Sequence, residues 1–149
     1  MKNHLVILFL ALLSFDSWGQ HDFIQDFNKK RDQISNDSLF LLLDNEIDRR
    51  IARNEKPEKI LSLLDLKAEI ADSLNDNFQE YYAYEAMRNY RLTYTAKDYF
   101  FLLKKIAQLE SNAGLTDDAV KTYFEAADLA DSLKNDTLFH QTKDSLLEA

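Results

Sequence analysis

The chain has 149 residues, a length typical of one domain. Only two glycines and one proline occur while 46% of the residues are hydrophobic, so a helical globular protein is expected and a disordered chain is not. The formal net charge of −8 argues against nucleic acid and anionic membrane surfaces as partners. Because cysteine is absent, neither a disulfide framework nor a cysteine nucleophile is available.

Residues 1–19 have the pattern of a secretory signal peptide. Its features are a positive start at Lys2, an unbroken apolar run from Leu5 to Leu13 and small residues around a cut after Gly19. The run is shorter than the about 20 apolar residues of a membrane span, and an uncleaved anchor is the alternative. We expect cleavage before Gln20, export to the periplasm or the exterior without a membrane anchor, and one helical domain over 20–149.

Beyond the leader, apolar residues recur at steps of three and four in six or seven segments, the periodicity of helices with one buried face. The predicted helices are Asp22–Ile34, Ser38–Asn54, Pro57–Leu74, Asn77–Tyr94, Lys97–Asn112, Asp117–Lys134 and a weaker, more polar segment from Thr137 onward. Asn36 or Asp37 is expected to cap the second helix. The residues expected to face inward on that helix are Leu39, Phe40, Leu43, Ile47 and Ile51.

The fifth and sixth segments predict the best-formed helical hairpin. The apolar stripe of the fifth consists of Tyr99, Phe100, Leu103, Ile106, Ala107 and Leu109, and that of the sixth of Ala119, Tyr123, Ala126, Ala127 and Ala130. Gly114 stands where a helix ends in a left-handed residue. Thr116 is expected to cap the sixth helix.

The segments repeat with a period of 36 residues, which is typical of helical solenoids. The matched sets are Ile34-Ser35 with Ile70-Ala71 and Ile106-Ala107, Ile47 with Ala83 and Ala119, and Ile51 with Met87 and Tyr123. A word match also exists between Ala71-Asp72-Ser73-Leu74 and Ala130-Asp131-Ser132-Leu133. We interpret that match as two similar helix ends, not as the repeat.

Seven residues of the hairpin match one known repeat pattern, in which large and small residues stand at fixed spacings. They are Leu103, Ile106, Ala107, Gly114, Ala119, Tyr123 and Ala126. In these residues the hairpin resembles a tetratricopeptide repeat, although Glu110 stands where the pattern prefers an aromatic residue and Asp131 where it often has proline. The resemblance implies an all-α fold of antiparallel hairpins, stacked as a short right-handed solenoid of about three hairpins plus a terminal helix.

In that family the first helices of the hairpins line a groove that binds extended peptide segments. The resemblance places Phe101, Lys104, Gln108 and Asn112 of the fifth helix in this groove. The 36-residue register adds Asp65, Ala68 and Asp72 of the third helix, and Thr137 and His140 of the seventh. This mixed-charge surface predicts a protein or peptide partner, with ordinary solvated positions as the alternative.

The tyrosines between Tyr81 and Tyr99 fall into two groups. Tyr82, Tyr90 and Tyr94 have the spacing of a core stripe, while Tyr81, Tyr84 and Arg88 share a second face that is a candidate for an interface. Packing is the favoured interpretation for the cluster as a whole.

No pattern in the sequence points to catalysis or to a cofactor. A single glycine beyond the leader cannot form a phosphate-cradling loop, and His21 and His140 lack the spacing of a metal site. Acid pairs such as Asp44 with Asp48 are typical of exposed helix faces. We therefore expect a non-enzymatic, exported interaction module without cofactor or metal.

The alternative is an input region of a larger histidine kinase or transcriptional regulator, since such proteins carry similar extracytoplasmic repeats. The end of the sequence within the seventh predicted helix favours that alternative.

Overall fold

The computed structural model describes residues 23–134 and, beyond them, Leu138, His140, Thr142 and Lys143. In this part of the chain all regular structure is helical, which confirms the predicted all-α class. The α-helices are α1 (Phe23–Lys30), α2 (Asn36–Ala52), α3 (Pro57–Ser73), α4 (Asn77–Arg88), α5 (Ala96–Asn112) and α6 (Thr116–Ser132). Short 3-10 turns, Arg31–Gln33 and Arg91–Thr93, follow α1 and α4. The predicted leader and most of the seventh segment lie outside the described residues.

Two of the predicted helices end in 3-10 turns. The first segment was predicted as one helix to Ile34, but α1 ends at Lys30. The fourth was predicted to reach Tyr94, but α4 ends at Arg88. In both places Ile34 and Tyr94 are extended, with ψ of 156° and 146°, because the chain must turn before the next helix begins.

The chain divides into two compact units between Leu41 and Leu42. In the first unit Phe27 is buried, and its ring stacks on that of Phe23 with centroids 5.6 Å apart. Ser35 begins the next helix: its Oγ accepts from the Ser38 N–H at 3.4 Å and its carbonyl accepts from the Leu39 N–H at 3.0 Å. The predicted cap at Asn36 or Asp37 is therefore wrong by one or two residues.

In the second unit α3 packs closely against α4, and α5 packs closely against α6, with α4 in contact with α5. The expected stripes of α5 and α6 are confirmed, since all eleven predicted inward residues of this hairpin are buried. On α2 the prediction fails at Ile51, which is 47% exposed because it lies in the last turn of the helix.

A shift of 39 residues relates the two hairpins, carrying Pro57 onto Ala96, Ser73 onto Asn112 and Asn77 onto Thr116. The same shift carries every buried position of α3 onto a buried position of α5. These positions are Ile60, Leu61, Leu63, Leu64, Lys67, Ala68, Ile70 and Ala71 in α3, and Tyr99, Phe100, Leu102, Leu103, Ile106, Ala107, Leu109 and Glu110 in α5. The predicted period of 36 residues is therefore short by three. Three residues are almost one helical turn, so both shifts align nearly the same faces of the helices. The two shifts differ in the position along the helix axis, by about one turn.

The turns within the hairpins share one geometry. Asn75 and Gly114, 39 residues apart, have φ of 54° and 76°. The next N–H in each turn closes on the helix before it, from Asp76 to the Ala71 carbonyl at 2.8 Å and from Leu115 to the Glu110 carbonyl at 2.9 Å. The left-handed role predicted for Gly114 is confirmed, and asparagine supplies it in the earlier hairpin because its side chain tolerates positive φ.

Helix caps differ between the two hairpins. The Asp76 side chain accepts from the Gln79 N–H at 3.1 Å and so caps α4. The predicted cap at Thr116 is wrong, because Thr116 is already the first helical residue of α6 and Leu115 precedes it without a side-chain cap. In this hairpin the side-chain cap lies at the start of α5, where the Thr95 hydroxyl accepts a hydrogen bond from the Asp98 N–H at 3.1 Å.

The two matching words are similar helix ends, as interpreted from the sequence. Ser73 and Ser132 are the last residues of α3 and α6, and each hydroxyl donates to a carbonyl three residues earlier, at 2.7 Å and 2.6 Å. Two residues further on, Asn75 and Lys134 both have positive φ. No helix in the described part of the chain has the length and apolarity to cross a membrane.

Candidate interaction surface

One stripe of α5 points away from the core. Its members Phe101, Lys104, Gln108 and Asn112 follow one another at steps of three and four. Phe101 is 47% exposed, Gln108 and Asn112 are exposed, and Lys104 is half-buried. Within the described residues no hydrogen bond or ion pair engages the three polar side chains, so they are free to contact a partner. We call these four residues the α5 ridge.

The corresponding stripe of α3 is acidic. Asp65 and Asp72 are exposed, as predicted, but Ala68 is fully buried and cannot contact a partner. Ala68 was chosen because a shift of 36 residues carries Lys104 onto it. With the observed shift of 39 residues, Lys104 corresponds to Asp65 and Gln108 to Glu69, which is exposed. We call Asp65, Glu69 and Asp72 the α3 stripe.

Tyr84 lies where polar groups of three helices converge. Asp65 and Asp72 of α3 and Lys105 of α5 all act electrostatically on its hydroxyl. Burial raises the pKa of Tyr84, the positive charge of Lys105 opposes this, and the acidic neighbours add to it. The Lys105 ammonium is 5.9 Å from the centroid of the Tyr84 ring, a cation–π contact. Tyr84 therefore joins the predicted groove residues of α3 to the second hairpin.

Within the described residues no ion pair engages the acidic side chains of the α3 stripe. Partial desolvation and the negative charge of Glu69 raise the pKa of the exposed Asp65. Burial and the charge of Asp65 raise the pKa of Tyr94 to about 12. This edge of the surface thus favours groups that bring positive charge or donate hydrogen bonds.

An ion pair between the partly exposed Lys105 and the buried Glu80 joins α5 to α4. Lys105 Nζ lies 2.8 Å from Oε1 of Glu80, whose side chain is 3% exposed. The adjacent Glu80 carboxylate raises the pKa of Lys105, and partial burial opposes this effect. Neither residue was identified from the sequence, because they are 25 positions apart and each has the spacing of an ordinary helix-surface charge.

The side chains of Tyr81, Tyr84 and Arg88 are half-buried and interact with neighbouring helices, which favours the packing interpretation for these three residues. Arg88 pairs with Glu85 at 3.3 Å and, on α6, with Glu125, and Tyr81 interacts with Glu110 of α5. Burial lowers the pKa of Arg88, but the hydrogen bond and charge of Glu125 outweigh it and raise the pKa overall.

Tyr82 was assigned to a core stripe, and this is wrong. It is exposed and its ring meets that of Phe78, also exposed, at a centroid distance of 4.4 Å. Spacing alone does not show which of two aromatic faces of α4 is covered, because both contain large side chains.

Glu110 occupies the position where the repeat pattern prefers an aromatic residue. Its side chain is buried between α4 and α6, with Tyr81 and Thr122 as neighbours, and its Oε2 has no hydrogen-bond partner in the described part of the chain. Burial raises the pKa of Glu110. A hydrogen bond to Thr122 lowers it, and the negative charge of Glu85 raises it further, so that the pKa is raised overall. The departure from the pattern thus introduces a buried carboxyl group.

Of the predicted terminal residues, His140 is helical and exposed, while Thr137 lies outside the described part of the chain. The acid pair of Asp44 and Asp48 is not free to act as a unit, because Asp44 pairs with Lys67 at 2.7 Å. Within the described residues no three His, Cys, Asp or Glu side chains are grouped so as to hold a metal ion.

Comparisons with protein-family models, with curated proteins and with solved structures find no match to this chain.

Proposed function

We propose that the chain is a non-enzymatic, exported module that binds an extended segment of a partner protein across the α5 ridge and the α3 stripe. The observation that best supports this is the division of α5 into two faces. One face is buried, while the α5 ridge exposes a large aromatic ring beside three polar side chains that make no hydrogen bond or ion pair within residues 23–134.

The architecture assigned to this module is a short right-handed solenoid of the tetratricopeptide type. The 39-residue correspondence between its hairpins supports this, because repeats of equal length place the outer stripes of successive first helices at equivalent positions. The stripe of α3 is then acidic where that of α5 carries Lys104 and Gln108.

Phe101 is the proposed anchor of the interaction. Large aromatic residues dominate the binding energy of protein interfaces when a partner buries them, and surrounding polar residues provide register. Lys104 and Gln108 stand one turn and two turns from Phe101, within reach of a partner backbone. The α3 stripe would favour a segment that carries lysine or arginine at one end.

A pair of photo-crosslinking variants tests the location of the interface. A photoreactive phenylalanine analogue at Phe101 should crosslink one partner in the native host. The matched control places the analogue at Phe124 of α6, an aromatic residue that is 57% exposed. Equal crosslinking from both positions, or none from Phe101, would contradict the assignment.

Phe101→Ala should then weaken binding of the crosslinked partner by about 2 kcal/mol, or roughly thirtyfold. Because about half of the ring is already exposed, the fold should lose no more than about 1 kcal/mol. Phe124→Ala should leave the affinity unchanged. A sharp fall in melting temperature with unchanged affinity would place Phe101 in the core and end the groove assignment.

Export is the second part of the proposal and rests on residues 1–19. The intact mass of the protein from the native host should correspond to a chain that begins at Gln20. Retention of the leader in a membrane fraction would identify an anchor instead.

A further inference from the structure

A cleft of about 260 Å³ lies between the 3-10 turn after α4 and the C-terminal half of α6. Its apolar wall is formed by Tyr99, Leu103 and Leu129. Its charged residues are Arg91, Glu125 and Asp128. No residue of the α5 ridge or the α3 stripe lines it, so it is separate from the proposed partner surface.

Glu125 is engaged within the protein. Its Oε2 pairs with Arg88, and its Oε1 accepts a hydrogen bond from the Tyr99 hydroxyl at 3.3 Å. These bonds hold one carboxylate against the wall and leave it little capacity for a ligand.

Arg91 and Asp128, unlike Glu125, form no ion pair within the described residues. The Arg91 guanidinium carbon lies 4.6 Å from the centroid of the Tyr99 ring, so the cation stacks on an aromatic face. No carboxylate of the described residues forms an ion pair with Arg91, and no cation of that part of the chain pairs with Asp128. Both side chains are exposed and line the same cleft without bonding to each other.

Opposite charges on an apolar wall match a particular ligand chemistry. A guanidinium stacked on an aromatic ring keeps its N–H edge available, and that edge binds carboxylates in bidentate fashion. A free carboxylate such as Asp128 accepts hydrogen bonds from an ammonium group. Leu129 is half-buried and provides apolar surface for an aliphatic side chain, whereas Leu103 is fully buried.

We propose that this cleft binds a free aliphatic amino acid, with its carboxylate on Arg91, its ammonium group on Asp128 and its side chain against the half-buried Leu129. The size of the cleft, about 260 Å³, is consistent with a small ligand. It is smaller than the about 300 Å³ at which pockets for drug-sized ligands begin. This inference goes beyond the proposed interaction function and does not depend on it.

Titration calorimetry of the purified protein with L-leucine tests the proposal. L-Leucine should bind, while N-acetyl-L-leucine, which lacks the ammonium group, and L-leucinamide, which lacks the carboxylate, should each bind at least about tenfold more weakly. Tight binding of N-acetyl-L-leucine would instead indicate a site for the C-terminal residue of a peptide and would overturn the proposal.

Two variants assign the contacts. Arg91→Gln and Asp128→Asn should each weaken L-leucine binding at least about tenfold, and Arg91→Gln should abolish the preference for L-leucine over L-leucinamide. Both residues are exposed, so the melting temperature should not change. Asp131→Asn, a change at an exposed residue of α6 outside the cleft, is the matched control and should bind as the original protein does.

Absence of L-leucine binding, or equal binding by Arg91→Gln, would refute the proposal. Phe101→Ala should retain full L-leucine binding, since Phe101 does not line the cleft. Failure of this proposal is thereby distinguishable from failure of the proposed partner surface.

Discussion

Replacing Lys105 by alanine should destabilise the protein by leaving the carboxylate of Glu80 buried without its cation. Lys105 Nζ is 2.8 Å from Glu80 Oε1, and the pair joins α5 to α4. The Glu80 side chain is 3% exposed, so water cannot replace the lost partner without local rearrangement. The burial of this single carboxylate makes the effect large for a lysine substitution.

The exposure of the two partners sets the magnitude. Breaking a fully buried pair costs about 3–5 kcal/mol, and an exposed pair contributes about 0–1 kcal/mol. The Lys105 side chain is 37% exposed, so solvent screens part of the interaction, and we expect Lys105→Ala to cost about 2 kcal/mol. Glu80→Gln should cost about 1 kcal/mol, because the amide is neutral and the lysine can turn to solvent.

Urea denaturation of a double-mutant cycle measures this energy. On the Glu80→Gln background, Lys105→Ala should cost less than about 0.5 kcal/mol, which gives a coupling energy of about 1.5 kcal/mol. The matched control is Lys104→Ala, the adjacent lysine, which has no ion pair within the described residues and should change stability by less than about 0.5 kcal/mol. Equal costs for the two lysines, or the same Lys105 cost on both backgrounds, would refute the reasoning.

Two further predictions concern the second hairpin. Ala119→Arg should destabilise the protein by at least about 3 kcal/mol, because Ala119 is fully buried and the site holds neither the volume nor the charge. Exposed Lys121→Ala should cost less than about 0.5 kcal/mol, and similar thermal melts for the two variants would contradict the hairpin register. Burial raises the pKa of Glu110 in the folded state above the ordinary value of 4.5 that it has in the unfolded chain. Between these two pKa values the folded state holds the proton more tightly, so the free energy of unfolding should fall as the pH rises through this range. Glu110→Gln removes this dependence, so its stability relative to the original protein should increase over that pH range and then level off, whereas parallel pH profiles would count against a buried titrating carboxyl.

The exposed faces of the helices were predictable from the sequence. Helical periodicity is a local property, so the direction of Phe101 follows from the positions of its neighbours Leu103 and Ile106 on the same helix. For the same reason the buried stripes of α5 and α6 and the left-handed Gly114 were predicted correctly.

Position along a helix was not predictable in the same way. Shifts of 36 and 39 residues preserve the apolar faces almost equally, and only the observed helix ends distinguish them. Ala68 was consequently assigned to the surface although it is buried. Caps show the same limit, because several polar residues near a helix start can accept the first N–H groups, and the path of the chain selects Ser35 and Thr95.

The sequence by itself determined the all-helical class, the faces of the helices and the exposure of Phe101, since each depends on residues within two turns of one another. The tertiary structure alone decided that Lys105 faces the buried Glu80 and that Arg91 and Asp128 line one cleft with Tyr99. These groups belong to different helices and turns, and their distances depend on how the helices pack, which no local spacing encodes.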